Sequence, residues 1–476
     1  MEIGIKALIK NSGVLVISNA SLKAISFFLL PLYTNVLPPE AYGITDTIIN
    51  ASTLMTSLFS LSVDWGMNTY FYEEHSEKYY KKVTSSGLLF FTISTVVCTI
   101  CVFFSKSASY MLFDTVDYQF AVVLGILAAS VKLFYFPQRV STRMRGNLKV
   151  VGIFSIVELS TTLICNILFI LVFKLGYISI VWSNFIGQAV TMVLYTIESR
   201  KYLSYKAADK QLLKKMLVYS VPITPTLLFD WINNFLNRYF IGHYFTQAEV
   251  GLYGIGTRIV GMLSVLTASF LSAYPSFAYS NAKKSGSREQ YSIVFDFMVM
   301  ILSAIALFVT VFSKEIVYIM TDEAYHSSYI VVGLLIFAHA IHTLGLIVGY
   351  GITIEKKGKL YLGVSGGGAL TNIILNFVLV PRFSYMGAAA ATIVAEIIIF
   401  SVSYYFSKRL FDCGYKIKRA GLCIIICLAA GYGAVNFFVG LKIVVCPILF
   451  CIILGIYRNR TVYAYSIIKE FIRNRK

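Results

Sequence analysis

The 476-residue sequence predicts an all-α integral membrane protein of fourteen transmembrane helices, built as two parallel six-helix repeats plus two C-terminal helices. Three observations lead to that fold class. Long apolar blocks are separated by short polar connections, Lys and Arg crowd into alternate connections, and the two halves match each other at an offset of about 208 residues.

Hydrophobic residues make up 57% of the chain and charged residues 13%, where a soluble domain carries about 25% charged residues. About 20 apolar residues are needed to cross roughly 30 Å of hydrocarbon. In order, the blocks that meet this length are 13–35, 41–63, 84–104, 118–137, 150–173, 177–198, 213–241, 248–276, 291–312, 328–352, 360–381, 385–407, 420–439 and 441–457. The seventh is long and broken by Pro222 and Pro225. The first follows Lys6 and Lys10 as a signal peptide would, but it is long enough to span and is expected to be retained.

With the N-terminus inside, 32 of the 41 Lys and Arg fall in cytoplasmic segments. The outer loops, taken with the outer edge of the last block, hold only Lys106, Lys174, Lys314, Arg382 and Lys442. Lys214 and Lys215 at the edge of the seventh block count as cytoplasmic, and Lys23, Lys132, Arg238 and Arg258 lie deeper in the spans. This asymmetry follows the positive-inside rule and places both termini in the cytoplasm. The net charge of +18 is thereby a matter of membrane orientation, and no nucleic acid is expected as partner. The eight cysteines form no framework. Cys98 and Cys101 sit within a span with no second pair at metal spacing, and Cys423 and Cys427 lie in another, so neither a metal nor a cofactor is expected.

Phe104-Ser105-Lys106 recurs as Phe312-Ser313-Lys314, followed in each copy by Tyr (110, 318) and Asp (114, 322). Gly43 maps on Gly251, Val123 on Val331 and Gly125 on Gly333; after a two-residue insertion Lys149 maps on Lys359 and Asn166 on Asn376. The expected domains are therefore a six-helix bundle at 1–208, its repeat at 209–415, and two extra spans with a basic tail at 416–476. An even number of spans per repeat makes the copies parallel, an arrangement secondary transporters use to alternate access to a site between halves.

Six plus six plus two spans resemble the polysaccharide flippases of the multidrug/oligosaccharidyl-lipid/polysaccharide exporter superfamily. The local carriers of the resemblance are Leu37-Pro38-Pro39-Glu40-Ala41-Tyr42-Gly43, Ala248-Glu249-Val250-Gly251-Leu252-Tyr253, and Tyr385-Met386-Gly387-Ala388-Ala389-Ala390-Ala391-Thr392. The resemblance implies two six-helix bundles in a V around a central cavity lined by basic residues of the first and eighth helices. It also implies a lipid pyrophosphate-linked oligosaccharide as substrate.

Ionisable residues inside spans are costly and default to functional hypotheses. Asn19, Lys23 and Ser26 share a face of the first span at helical spacing. Thr226, Asp230, Asn233, Asn234, Asn237 and Arg238 form the densest polar stripe, on the seventh span, next to its prolines. Arg258 lies between Gly254 and Gly261 in the eighth. The expected substrate site is thus Lys23, Arg258, Arg238, Asn19, Asn234 and Asn237. Asp230, Glu158 and Glu396, each on a polar face, are the candidates for ion coupling. Lys132 is expected to snorkel to the cytoplasmic surface. His339 and His342 share a face without a third ligand, and Gly366-Gly367-Gly368 reads as a close-packing surface.

The expected function is a flippase that carries a polyprenyl-linked anionic oligosaccharide to the outer leaflet of the cytoplasmic membrane, with no catalytic residues. A polysaccharide polymerase and the glycosyltransferases of the same pathway are its expected protein partners. The rivals are a flippase for the lipid precursor of peptidoglycan, a multidrug cation antiporter, and, outside transport, an oligosaccharide polymerase. The short outer loops speak against the last.

Overall fold

The computed structural model describes residues 30–71, 73–74, 76–222, 224–281, 287–355 and 357–458. They form helices joined by short turns, in two compact units, 28–254 and the part of the chain from 255 onward. Among the described residues, nine helical stretches are long and apolar enough to cross a membrane, one of them the 51-residue run Leu360–Leu410.

The first unit holds α1 (Leu30–Val36), α2 (Pro39–Ser60), α3 (Val63–Tyr70), α4 (Glu77–Ile100), α5 (Ser105–Phe113), α6 (Gln119–Met144), α7 (Leu148–Ile167), α8 (Ile178–Ser199), α9 (Lys210–Ser220), α10 (Thr224–Tyr244) and the opening turns of α11 (Gln247–Asn281). Local sequence sets the boundaries. Pro39 opens α2, where its fixed φ and missing N–H cost nothing. Leu61 and Ser62, both left-handed, separate α2 from α3. Ser76 caps α4 by accepting from Tyr79 N, and Asp209 caps α9 by accepting from Gln211 N and Leu212 N. The predicted seventh span breaks at its prolines, since α9 ends at Ser220 and α10 starts at Thr224.

Apolar side chains fill the core, Val83, Phe91 and Leu133 among them, and also cover the outside. Ile93, Val96, Ile153, Ile156 and Phe173 face outward, whereas Thr84, Ser85, Gln138, Ser141, Thr142 and Asn166 are buried between helices. Lipid is as apolar as leucine, so small and polar residues make the helix–helix contacts. Thr84 donates across to Ser141 at 2.7 Å, and α6 packs on both α4 and α8.

The segment between α8 and α9 is strapped to α4. Ser85 Oγ donates to Tyr202 O and accepts from Ser204 N. Ser86 Oγ accepts from Asp209 N at 2.9 Å while donating to Lys82 O at 2.8 Å. Lys82 adds an ion pair to Asp209 at 2.5 Å, and its hydrogen bond holds that carboxyl below the usual carboxylate range.

The second unit contains the rest of α11, then α12 (Ser287–Val311), α13 (Ser313–Met320), α14 (Tyr329–Ile354), α15 (Gly358–Leu410), α16 (Ile417–Ala434) and α17 (Val439–Ile456). Helix α15 is broken at Ser384, whose φ of 49° and ψ of −134° are not helical. Its two arms fold back on each other, so that a Cβ on Gly368 would run into Ile399. The predicted spans 360–381 and 385–407 are these arms. Helices α16 and α17, the C-terminal pair, pack on α12. Lys442 of α17, fully buried, donates to both carboxylate oxygens of Glu315 on α13, at 2.6 and 2.8 Å.

Positions paired by the sequence offset show the same local geometry. The chain turns at Phe104 with φ −96° and ψ 6°, and at Phe312 with φ −99° and ψ 11°, before a new helix starts at Ser105 or Ser313. Helices α6 and α14 are both 26 residues long.

Candidate functional site

In the first unit, polar side chains of α2, α10 and the start of α11 converge. The convergence depends on two glycines. A Cβ on Gly43 would strike the Gln247 carbonyl oxygen, and one on Gly251 the Pro39 carbonyl oxygen, so the opening turns of α2 and α11 touch backbone to backbone. One turn further along α2, Asp46 accepts a hydrogen bond from Arg238 Nε at 2.5 Å. The two side chains are only 10% and 6% exposed. The guanidinium lies 5.6 Å from the centre of the Tyr253 ring, and the Tyr253 hydroxyl accepts from Asn237 Nδ2 at 2.9 Å. Gly254 leaves the space beside the carboxylate, because a Cβ there would sit 3.0 Å from Asp46 Oδ2.

A buried guanidinium needs a counter-charge and acceptors, since the desolvation of an isolated ion amounts to several kcal/mol. Asp46 supplies the charge and the Tyr253 face supplies a cation–π contact. Arg238, read from sequence as a substrate ligand, thus has its charge compensated by Asp46 in this structure, and Asn237 is engaged by Tyr253.

In the second unit His342 Nδ1 lies 3.2 and 3.1 Å from the two carboxylate oxygens of Glu396. The imidazole is about one-third exposed and the carboxylate less so. One turn earlier on α14, His339 Nε2 is 3.0 Å from Thr267 Oγ1. A His–Glu pair in hydrogen-bond contact can share one proton. Among the described residues no group of three His, Cys, Asp or Glu is placed to hold a metal ion.

Glu158 lies half-buried on α7, near enough to Lys132 and Arg139 of α6 for their charges to interact. Lys132, expected to snorkel, is instead half-buried and borders a cavity between α2, α6 and α8. Helices α2 and α8 face it across that cavity. Arg258 is half-buried on α11. Asn19 and Lys23 lie outside the described residues, as do the side chains of Asp230 and Asn234.

Sequence reading missed Asp46, which stands 192 residues from its partner. The available signal was an acid six residues into a span, which cannot remain unpaired in hydrocarbon. It also treated His342 and Glu396 separately, although both occur on polar faces of apolar helices.

The sequence family described as "Polysaccharide biosynthesis protein" matches residues 8–281. A Haemophilus influenzae protein described as an uncharacterized membrane protein is 22% identical over 427 residues, covering 85% of this chain and 98% of its own. Among solved structures, the lipid II flippase MurJ in an inward closed conformation superposes with a TM-score of 0.74 at 13% identity, over 95% of this chain and 99% of that one. An inward-facing multidrug resistance MATE transporter of the MOP superfamily superposes with a TM-score of 0.69 at 11% identity, over 86% and 98%. The fold is therefore that of MOP-superfamily transporters.

Proposed function

The chain belongs to the polysaccharide biosynthesis protein family, and from that premise we propose that it is a flippase for a lipid-linked anionic oligosaccharide. The family match over residues 8–281 carries this reading. The multi-pass fold shared with MOP-superfamily transporters supports it. In the proposed cycle the polyprenyl tail stays in lipid while the pyrophosphate and sugars pass through a polar interior in alternating access between two six-helix halves. Lys23 and Arg258 bind the head group as charge-assisted donors, and Asn19, Asn234 and Asn237 serve the sugar hydroxyls. Arg238 contributes through its hold on Asp46.

Outward movement of an anion across the cytoplasmic membrane is favoured by an inside-negative potential, by about 2.3 kcal/mol per charge per 100 mV. The His342–Glu396 pair is the best-formed candidate for an additional coupling proton, ahead of Glu158 and Asp230, because its two partners are in hydrogen-bond contact. A second reading is a flippase for a lipid-linked peptidoglycan precursor. The fold match to the lipid II flippase over 95% of the chain motivates it.

Depletion of the protein decides between the readings. Accumulation of an oligosaccharide pyrophospholipid on the inner leaflet is expected; accumulation of a peptidoglycan precursor selects the second reading, and accumulation of neither refutes both. Neutral variants at Lys23 and Arg258 that still transport at the parental rate refute the head-group assignment alone.

A further inference from the structure

We propose that the unit at 28–254 contains a cation site bordered by the chain's own Lys132 ammonium, and that a free primary alkylammonium ion fits this site once that side chain is removed. This inference is independent of what the transporter carries. The site is a cavity of about 40 Å³ between α2, α6 and α8, where one water-sized group needs roughly 10–15 Å³. Its place is set by Gly125. A Cβ there would press on Ile48 Cγ2 and Ser52 Oγ at 2.7 Å each, so α2 and α6 touch at that level and the cavity opens beside the crossing.

The polar wall consists of Ser52, Thr53 and Thr56 from α2 and Asn184 and Gln188 from α8, with Lys132 facing it from α6. The direction of its hydrogen bonds decides what it can hold. Ser52 Oγ donates to Ile48 O at 2.7 Å, Thr53 Oγ1 to Ile49 O at 2.8 Å, and Thr56 Oγ1 to Ser52 O at 2.9 Å. A hydroxyl has one proton and two lone pairs, so each can offer the cavity only acceptor capacity. Asn184 donates one Nδ2 proton to Ile180 O at 2.9 Å, which leaves its carbonyl oxygen and one N–H. Gln188 Oε1 is a buried acceptor with no hydrogen-bond partner.

The three hydroxyls, the Asn184 carbonyl oxygen and the unpartnered Gln188 Oε1 outnumber the amide N–H groups, so the wall is mainly accepting and suits a solute that only donates. An ammonium has three donors and no acceptor, whereas an anion would meet lone pairs. Charge agrees with this. Of the ionisable groups whose charges reach Lys132, Glu158 on α7 attracts the ammonium and Arg139, further along α6, opposes it. The cavity-lining residues of α2 and α8 carry no charge. A lysine inside a span is costly to insert as an ion, and this wall turns acceptors toward the cavity that Lys132 borders.

The test is chemical rescue of full-length Lys132→Ala in detergent, with melting followed in chloride salts of equal ionic strength. The variant is expected to melt below the parent. Ethylammonium should restore most of the loss saturably, tetramethylammonium (no N–H donor) should not, and neither should shift the parent. The same melting temperature for the variant in every salt overturns the proposal. Should Lys132→Ala fail to survive purification, Gln188→Leu is compared in the parent and in Lys132→Met. A loss of stability in the parent that disappears in the Lys132→Met background is expected, and equal losses in both overturn the site.

Discussion

The Asp46–Arg238 pair can be tested by a double-mutant cycle. Asp46→Asn leaves the Arg238 guanidinium without its counter-charge at a position 6% exposed. Breaking one side of a buried pair costs about 3–5 kcal/mol. Arg238→Met strands the carboxylate at similar cost and also loses the contact over Tyr253, worth roughly 0.5–2 kcal/mol. The double variant removes both charges together, so its loss should fall short of the sum of the singles by up to about 3 kcal/mol. Unfolding of the four proteins in mixed micelles measures the cycle, or their inactivation half-lives at one temperature where unfolding is irreversible. A double variant whose loss equals the sum refutes the pairing. The exchange Asp46→Arg with Arg238→Asp adds a transport arm. Recovered stability with recovered transport assigns Arg238 to the scaffold, whereas recovered stability without transport returns it to the substrate.

Three further outcomes follow from the packing. Gly43→Val should lose folded protein, with a penalty at or above the usual 1–3 kcal/mol of overpacking, because the new side chain meets the backbone of Gln247; normal melting of the variant refutes the backbone contact. Asp209→Asn should speed tryptic cleavage at Lys206 and Lys210 by loosening the strap on α4, and an unchanged cleavage rate shows that the serine contacts suffice. Single cysteines at Ser107 and Gln290, both exposed, should differ in intact cells, with only the former labelled by an impermeant thiol reagent; labelling of the latter from outside overturns the proposed orientation.

Much of the architecture was written in hydropathy. Apolar blocks have a physical length to meet, so helices run through the stretches marked from 41–63 onward, and the proline pair splits the seventh where expected. Single residues were harder to place. Arg238 has an amphipathic side chain and could be drawn equally to water or to a distant acid. Only the Gly43–Gly251 contact, which aligns α2 with α11, brings Asp46 within reach. Lys132 was misread for a related reason. Distance to the surface along one helix says nothing about the acceptors that two other helices turn towards it. The serines and threonines of the spans were silent as well, because most satisfy themselves on a carbonyl four residues back.

The buried contact between Lys442 and Glu315 also imposes an order in time. Glu315 leaves the ribosome 127 residues before Lys442, which at about 5–20 residues per second is a wait of roughly 6–25 s. During that interval the carboxylate has water or a transient neighbour for company, and α13 lacks the ammonium that later joins it. Helix α17 therefore completes a contact begun much earlier. A nascent chain stalled before residue 442 should present an incompletely closed second unit to the quality-control proteases of the membrane.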